Sequence, residues 1–98
     1  MEVEYKYEAL SLIETERAAE TKLPVGVINS TRNKLVVIRA APDERTLRNW
    51  KSLHYERFEK YGKGQRSIRI NDQYRMVFEI DTQRKPNKIT ILRIEDTH

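Results

Sequence analysis

Five side chains of this sequence are of the types that can cut a phosphodiester bond in RNA. They are His54, Arg69, Arg75, Asp96 and His98. Attack by the 2′-hydroxyl of RNA on its own phosphate needs a base at that hydroxyl, an acid at the 5′-oxygen, and positive charge around the phosphate oxygens. Imidazole accepts or donates a proton near neutral pH, and arginine is always positively charged. The residue types therefore indicate RNA cleavage as a candidate chemistry that needs no metal and no cofactor.

Four of these side chains, the two histidines and the two arginines, also have an ordinary structural interpretation. His54 would be a loop histidine between aromatic neighbours, and His98 would be a frayed terminal residue. The two arginines would lie on a solvated face, balanced by the nearby carboxylates of Glu79 or Asp81. From the residues alone, the catalytic and the structural interpretations both stay open.

The segment from Gly64 to Phe78 predicts a β-hairpin that brings the two arginines together. Alternating residues form an apolar face in both arms, and these faces coincide only if Ile70 lies opposite Tyr74. That register leaves a three-residue loop, residues 71–73, and places the two arginines directly opposite each other. Opposed like charges destabilise a strand pair by roughly several tenths of a kcal/mol. We therefore expect a compensating anion, either a protein carboxylate or a ligand.

The composition limits the class of protein. At 98 residues the chain has room for one domain, residues 1–98. It contains no cysteine, which excludes disulfides and thiolate metal sites, and its two histidines are far apart, so we expect no metal site. The N-terminus does not resemble a signal peptide, and no apolar run approaches about 18 residues. We expect a soluble, cytoplasmic protein without a membrane partner.

The net charge of +4 is unevenly distributed. Residues 1–20 contain six acidic and two basic residues, whereas residues 21–98 contain 17 basic and nine acidic residues. Such asymmetry indicates a polyanionic partner for the larger part of the chain. The alternative is a solvated surface that happens to be basic.

The elements before the hairpin predict a strand and two helices. Alternation around Tyr5 predicts a short first strand, and the composition from Glu8 to Thr21 predicts a helix. Pro24 interrupts that helix and opens a second one, which ends at Pro42. An apolar stripe at helical spacing marks the second helix: Ile28, Thr31, Leu35, Ile38 and Ala41. Because the break is short, the two helices would form a helical hairpin.

The remaining elements complete the predicted fold. Asp43 has N-cap chemistry, and the spacing of Leu47, Trp50 and Leu53 suits either a helical turn or a packed loop. The segment Lys88–Glu95 has apolar residues on both faces, so it is a central strand or carries a bulge. The sequence therefore predicts an α+β fold, with an N-terminal strand and a helical hairpin packed on a mostly antiparallel β-sheet.

The hairpin sequence resembles the signature of a known family. Residues 64–75, Gly-Gln-Arg-Ser-Ile-Arg-Ile-Asn-Asp-Gln-Tyr-Arg, are similar to HigB-type toxins in the RelE-like superfamily of bacterial type II toxin–antitoxin systems. Supporting similarity lies in the stretch from Lys34-Leu35 through Ala40-Ala41, and at Leu47-Arg48, Ser52-Leu53-His54 and Ile94-Glu95-Asp96-Thr97-His98. The resemblance extends over roughly residues 22–98 and weakens over the first 20 residues.

This resemblance implies a small RelE-like domain that enters the ribosomal A site and cuts mRNA there. It also implies a helix-turn-helix antitoxin of the HigA type as partner. The toxin would contact operator DNA only through this antitoxin. Carried over by position, the active-site residues are His54, Arg75, Asp96 and His98. The residues expected to contact RNA phosphate are Lys63, Arg66 and Arg69. Thr97 stands where the family usually has a tyrosine, and a threonine cannot stack on a base.

Two hypotheses follow from these observations. The first is an mRNA interferase, a metal-independent endoribonuclease that inhibits translation, and it is favoured by the terminal Asp96-Thr97-His98. The second is a non-catalytic RNA- or protein-binding member of the family whose activity has decayed. Thr97 and the acidic first 20 residues favour the second hypothesis.

Overall fold

The computed structural model describes residues 1–97, which form a five-stranded sheet with helices packed on one face. The strands are β1 (Glu2–Tyr5), β2 (Glu56–Arg57), β3 (Arg66–Arg69), β4 (Tyr74–Asp81) and β5 (Lys88–Asp96). Their order across the sheet is β1-β5-β4-β3-β2, and β1 runs parallel to β5 while the other pairs are antiparallel. The predicted α+β fold with a mostly antiparallel sheet is confirmed.

One long helix covers the sheet. The helices within residues 1–97 are α1 (Glu8–Ser11), α2 (Val25–Ala40) and α3 (Glu44–Asn49), and none of them could cross a membrane. The predicted stripe of the second helix is confirmed, because Ile28, Thr31, Leu35, Ile38 and Ala41 are all buried. Most of this stripe packs against apolar residues of β3, β4 and β5, including Ile68, Met76 and Phe78. We call the sheet face that α2 covers the inner face, and the opposite one the outer face.

The predicted first helix is wrong as a continuous element. From Glu8 to Thr21 the chain forms one α-helical turn, α1, followed by two short 3₁₀ turns. These turns comprise residues Leu12–Glu14 and Ala18–Thr21. The helical hairpin therefore lacks a regular first arm, and a series of turns packs beside α2 in its place.

Hydrogen bonds at Thr15 explain why the first helix breaks. Thr15 has an extended backbone, and its hydroxyl accepts a hydrogen bond from the Arg17 amide at 3.0 Å. Threonine side chains that bond local backbone groups in this way compete with helix propagation. Arg32, on α2, donates to the carbonyl oxygens of Ile13 and Thr15 at 2.7 and 2.9 Å. These carbonyls would have to bond within a continuous helix, so the contact with α2 stabilises the break.

β5 carries a bulge that turns the side chains of its last residues to the opposite face of the sheet. Phe78 pairs with Ile91, but Val77 pairs with Arg93, so Leu92 is an extra residue in β5. Because β5 also lies between β1 and β4, both predictions for this segment are confirmed. One extra residue shifts the alternation of the strand, and every side chain after Leu92 changes face.

A short helix and a 3₁₀ turn lead from α2 to the outer face. The N-cap prediction is confirmed, because the Asp43 carboxylate accepts a hydrogen bond from the amide three residues on at 3.1 Å. Leu47 and Leu53 are buried, whereas Trp50, which follows α3, is 46% exposed. A 3₁₀ turn at Lys51–Leu53 then carries the chain to His54. The buried Leu53 anchors this connection against the sheet.

Candidate functional site

The hairpin register places two arginines side by side on the outer face. Arg69 pairs with Arg75 across β3 and β4, as predicted from the apolar alternation. The Ile70 amide donates to the Tyr74 carbonyl at 2.9 Å, which closes the predicted register at the loop. In that loop the Asn71 side chain accepts hydrogen bonds from the amides of Gln73 and Tyr74 at 2.9 and 2.8 Å. An asparagine turn of this kind lets the chain reverse without a residue of positive φ.

Protein carboxylates supply the compensating charge that the arginine pair requires. Asp72 forms an ion pair and a hydrogen bond with Arg69. A Glu56 carboxylate oxygen lies 3.4 Å from Nε of Arg75. Glu95 pairs with Arg75 in the ladder between β4 and β5, so it belongs to the same row of the outer face. The outer face is therefore close to charge balance in the absence of a ligand.

Arg75 is held in a partly desolvated position. Its side chain is only 14% exposed, and its Nε donates to the Ser67 hydroxyl at 2.8 Å. Its Nη2 donates to the backbone carbonyl of His54. Burial lowers the pKa of the Arg75 guanidinium, the Glu56 carboxylate opposes that shift, and the Arg69 charge reinforces it. Ser67 and Val77, also on the outer face, are fully buried, so this surface is more than a solvated sheet face.

His54 approaches the arginine pair from the loop that precedes β2. It ends the 3₁₀ turn with φ of 47°, a left-handed conformation that is uncommon for a residue other than glycine. Its ring Nε2 lies 3.5 Å from Nη1 of Arg69. Since a guanidinium can only donate, this contact is a hydrogen bond when Nε2 is unprotonated. His54 therefore contacts Arg69 through its ring and Arg75 through its carbonyl, so the structure brings these three predicted residues together.

Asp96 is placed differently from these three residues. It pairs with Tyr74, so alternation puts its side chain on the inner side of β5, at the end of the sheet. Its carboxylate accepts a hydrogen bond from the Gln73 side chain at 2.7 Å. Thr97 donates to the Gln73 carbonyl through its amide and its hydroxyl, at 2.8 and 3.1 Å. His98 lies outside the described residues.

Two of the predicted phosphate contacts also lie apart from the arginine pair. Arg66 pairs with Phe78 and shares the side of β3 that carries Ile68, the inner side, where it donates to the Gln65 carbonyl at 3.1 Å. Lys63 is an exposed residue of the turn that precedes β3. Within residues 1–97, no group of three or more histidine, aspartate or glutamate side chains could hold a metal ion.

Sequence reasoning missed three side chains of this site. Ser67 and Glu56 contact Arg75, and Glu95 completes the row of charges. For Glu95 the missed feature was the position of the bulge, at Leu92, since a regular strand would turn Asp96 outward and Glu95 inward. Glu56 belongs to the two-residue strand β2, which is too short to leave a periodic pattern.

Comparison with known proteins was informative at the level of family and fold. A family model described as a RelE-like toxin of the type II toxin–antitoxin system HigB matches residues 4–92. That range includes the whole arginine hairpin and ends before Asp96 and His98. No match was found among curated proteins.

Two solved structures share this fold. One is a YoeB/ParE toxin from Agrobacterium tumefaciens, with a TM-score of 0.58, 12% sequence identity and 100% coverage of both chains. The other is a YoeB dimer from Staphylococcus aureus, with a TM-score of 0.57 and 15% identity, covering 100% of this chain and 98% of that chain. At these identities the likeness concerns the fold alone.

Proposed function

Because this chain belongs to the HigB-like toxins, which are RelE-like toxins of type II toxin–antitoxin systems, we propose that it is a ribosome-dependent endoribonuclease. In this proposal it cleaves mRNA in the A site by attack of the 2′-hydroxyl on the adjacent phosphate, and translation stops as a result. A toxin of a type II system acts together with an antitoxin. We propose that this partner is a HigA-like helix-turn-helix protein that also carries the toxin to operator DNA.

The observation that carries this proposal is the desolvated guanidinium of Arg75 beside Arg69 and His54. Its Nε and Nη2 are engaged, but Nη1 makes no hydrogen bond to any atom of residues 1–97. In this proposal, Nη1 of Arg75 binds an oxygen of the phosphate that is cleaved. Positive charge that is pre-positioned in a partly dry site stabilises the negative charge that develops on a phosphate during cleavage.

The other candidate residues receive roles that complete this chemistry. Arg69 and Lys63 bind flanking phosphates, and Arg66 contacts a further phosphate from the inner side of β3. His54 and His98 serve as the base at the 2′-hydroxyl and the acid at the 5′-oxygen, while Asp96 orients a partner through its carboxylate. No metal ion takes part in this scheme.

A non-catalytic member of the family that only binds RNA or protein is the second candidate. Two observations favour it: Asp96 faces the inner side of β5, and the hydroxyl of Thr97 is bonded to the Gln73 carbonyl. A toxin with this arrangement would retain the arginine pair for binding but lack part of the proton-transfer machinery.

Cleavage of mRNA on translating ribosomes, measured by primer extension, tests the proposal. Arg75→Ala should reduce the cleavage rate by about 10²–10³-fold, the usual effect of removing one group that stabilises transition-state charge. Arg75→Lys keeps the charge but loses the planar donor geometry. Its cleavage rate should fall, while its free energy of unfolding should stay close to that of the wild-type protein. Arg84→Ala is the matched control, since Arg84 is an exposed arginine whose ion pair with Glu2 at 2.7 Å lies away from this site.

The outcomes separate the two candidates. An Arg75→Ala variant that cleaves at the wild-type rate rules out the proposed role of Arg75. Wild-type protein that binds ribosomes without cutting mRNA establishes the second candidate. Deletion of residues 96–98 should abolish cleavage if Asp96 and His98 act as proposed, and a folded truncated protein with full activity excludes those roles.

A further inference from the structure

Tyr61 is an exposed aromatic residue in the loop between β2 and β3. The loop is closed at its base by a hydrogen bond from the Phe58 amide to the Gln65 carbonyl at 3.0 Å. Gly64 has φ of 79°, which favours glycine at that position, and its amide donates to the Glu59 carboxylate at 3.3 Å. The loop is thus a defined turn that presents Tyr61 rather than an unstructured linker.

The Tyr61 ring is fixed over the outer face by two residues of β5. The guanidinium carbon of Arg93 lies 4.1 Å from the ring centroid, and the Tyr61 hydroxyl donates to the Glu95 carboxylate at 3.2 Å. Arg93 is itself held by the buried Gln65, whose side-chain oxygen accepts from its Nη2 at 2.8 Å. Arg93 and Glu95 also form an ion pair at 3.5 Å. The ring therefore has a definite orientation even though it is 53% exposed.

The contacts of Tyr61 differ from those of the tyrosines that stabilise the fold. Tyr5 and Tyr55 also donate to glutamates, but both are partly buried and pack against the hydrophobic core. Tyr61 is absent from the buried clusters of residues 1–97, and its hydroxyl contacts Glu95, the ladder partner of Arg75. Tyr61 is therefore held by Phe58, Arg93 and Glu95 outside the hydrophobic core, with about half of its surface left open to a ligand.

An exposed aromatic ring among basic side chains is the usual means of binding a base of single-stranded RNA. Bases stack on tyrosine rings, while arginine and lysine bind the backbone phosphates. The exposed Lys60 ammonium lies 5.1 Å from the Tyr61 ring centroid, and Lys63 follows in the same loop. The loop thus combines both elements, and Tyr61 is joined through Glu95 to the strand position opposite Arg75.

We propose that Tyr61 is a stacking platform for an RNA base next to the nucleotide whose phosphate contacts Arg75. This inference rests on the proposed function, because it takes single-stranded RNA as the ligand. It makes Tyr61 a positioning residue, which sets where the strand lies relative to the arginine pair. Stacking would be tolerant of base identity, since every base has an aromatic face.

Binding of short fluorescent RNA oligonucleotides, measured by anisotropy without ribosomes, tests the platform. Tyr61→Leu should weaken binding about tenfold, a typical loss when one aromatic platform is removed. Tyr61→Phe should stay within about twofold of wild type, because the ring remains. Tyr7→Leu is the matched control: Tyr7 is similarly exposed and has Lys6 over its ring at 5.7 Å, but it follows β1 at the other edge of the sheet.

Oligonucleotides with one abasic position distinguish stacking from a structural role of the tyrosine. The wild-type protein should bind an oligonucleotide about tenfold more weakly when the base at one position is removed. The affinity of Tyr61→Leu should not change when the same base is removed. The inference is overturned if Tyr61→Leu binds like wild type, if Tyr61→Phe is as weak as Tyr61→Leu, or if no oligonucleotide binds. Wild-type protein that binds RNA in this pattern but never cleaves it would refute the proposed nuclease and leave the platform standing.

Discussion

The two faces of the sheet are stabilised by different interactions. The inner face is apolar: Ile68, Met76, Phe78, Ile89 and Ile91 are fully buried against the helices. The outer face carries Arg69, Arg75, Arg93 and Glu95, and these side chains form ion pairs and hydrogen bonds with neighbouring polar residues. Both faces belong to the same three strands, so alternation along each strand separates the residues that stabilise the fold from those available to a ligand.

This difference teaches how a small domain can present a charged site without losing stability. Burial of apolar side chains is non-directional and is not weakened by salt, so the inner face does not depend on the outer one. Exposed ion pairs contribute little to stability, and their partners can be exchanged for those of a polyanion. Glu56 and Asp72 form ion pairs with the two arginines, and in the proposed RNA complex phosphates would replace these carboxylates.

The largest effect on stability is expected on the inner face. Phe78→Ala should lower the free energy of unfolding by about 3–5 kcal/mol, because it leaves a cavity beneath α2 and removes the edge-to-face contact with Tyr55. Arg69→Ala, on the outer face, should cost less than about 1 kcal/mol. Urea denaturation of both variants measures the contrast. Equal losses would mean that the two faces are not energetically distinct.

A polar cluster beside α2, formed by Glu14, Arg39 and Tyr5, makes the stability of the protein depend on pH. Glu14 accepts hydrogen bonds from Arg39 and Tyr5, and the Arg39 bonds are the largest cause that lowers the pKa of the Glu14 carboxyl below its ordinary value of 4.5. The Glu14 carboxylate therefore binds a proton more weakly in the folded protein than in the unfolded chain. The stability that ionised Glu14 contributes is complete above about pH 4.5 and is lost as the pH falls through the lowered pKa.

Denaturation midpoints between neutral and acid pH test this dependence. Glu14→Gln should be less stable than wild type at pH 7, and the difference should shrink as the pH falls below 4.5. Glu16→Gln is the control, because no hydrogen bond or ion pair joins the Glu16 side chain to any other residue of the described part. A constant difference between Glu14→Gln and wild type across the pH range would contradict the assignment.

The smallest expected effect concerns the Glu56 carboxylate beside Arg75 on the outer face. Glu56→Gln removes the carboxylate 3.4 Å from Arg75 and should tighten binding of single-stranded RNA about two- to fivefold, with little change in stability. Glu79→Gln removes the same charge from a more distant position on this face, opposite Thr90, and should have a weaker effect. Equal tightening in both variants would show that net charge, and not the Glu56–Arg75 pair, controls RNA binding.

Much of the fold was predictable because its signals are local. The stripe from Ile28 to Ala41 predicted α2, and two apolar faces predicted the register that opposes Arg69 and Arg75. The first helix was mispredicted because propensity ignores tertiary contacts. Arg32 comes from α2 and bonds carbonyls that a helix would need, and such a contact leaves no trace in the composition of residues 8–21.

The sequence by itself determined which side chains of the hairpin share a face, since alternation with a period of two follows from the geometry of any strand. Only the tertiary structure decided which carboxylate joins the arginine row. The bulge at Leu92 turns Glu95 to the outer face and Asp96 to the inner side. Apolar residues on both faces of Lys88–Glu95 indicated that a bulge was possible, but its position depends on how β5 pairs with β4, and the order of residues within one strand does not contain that pairing.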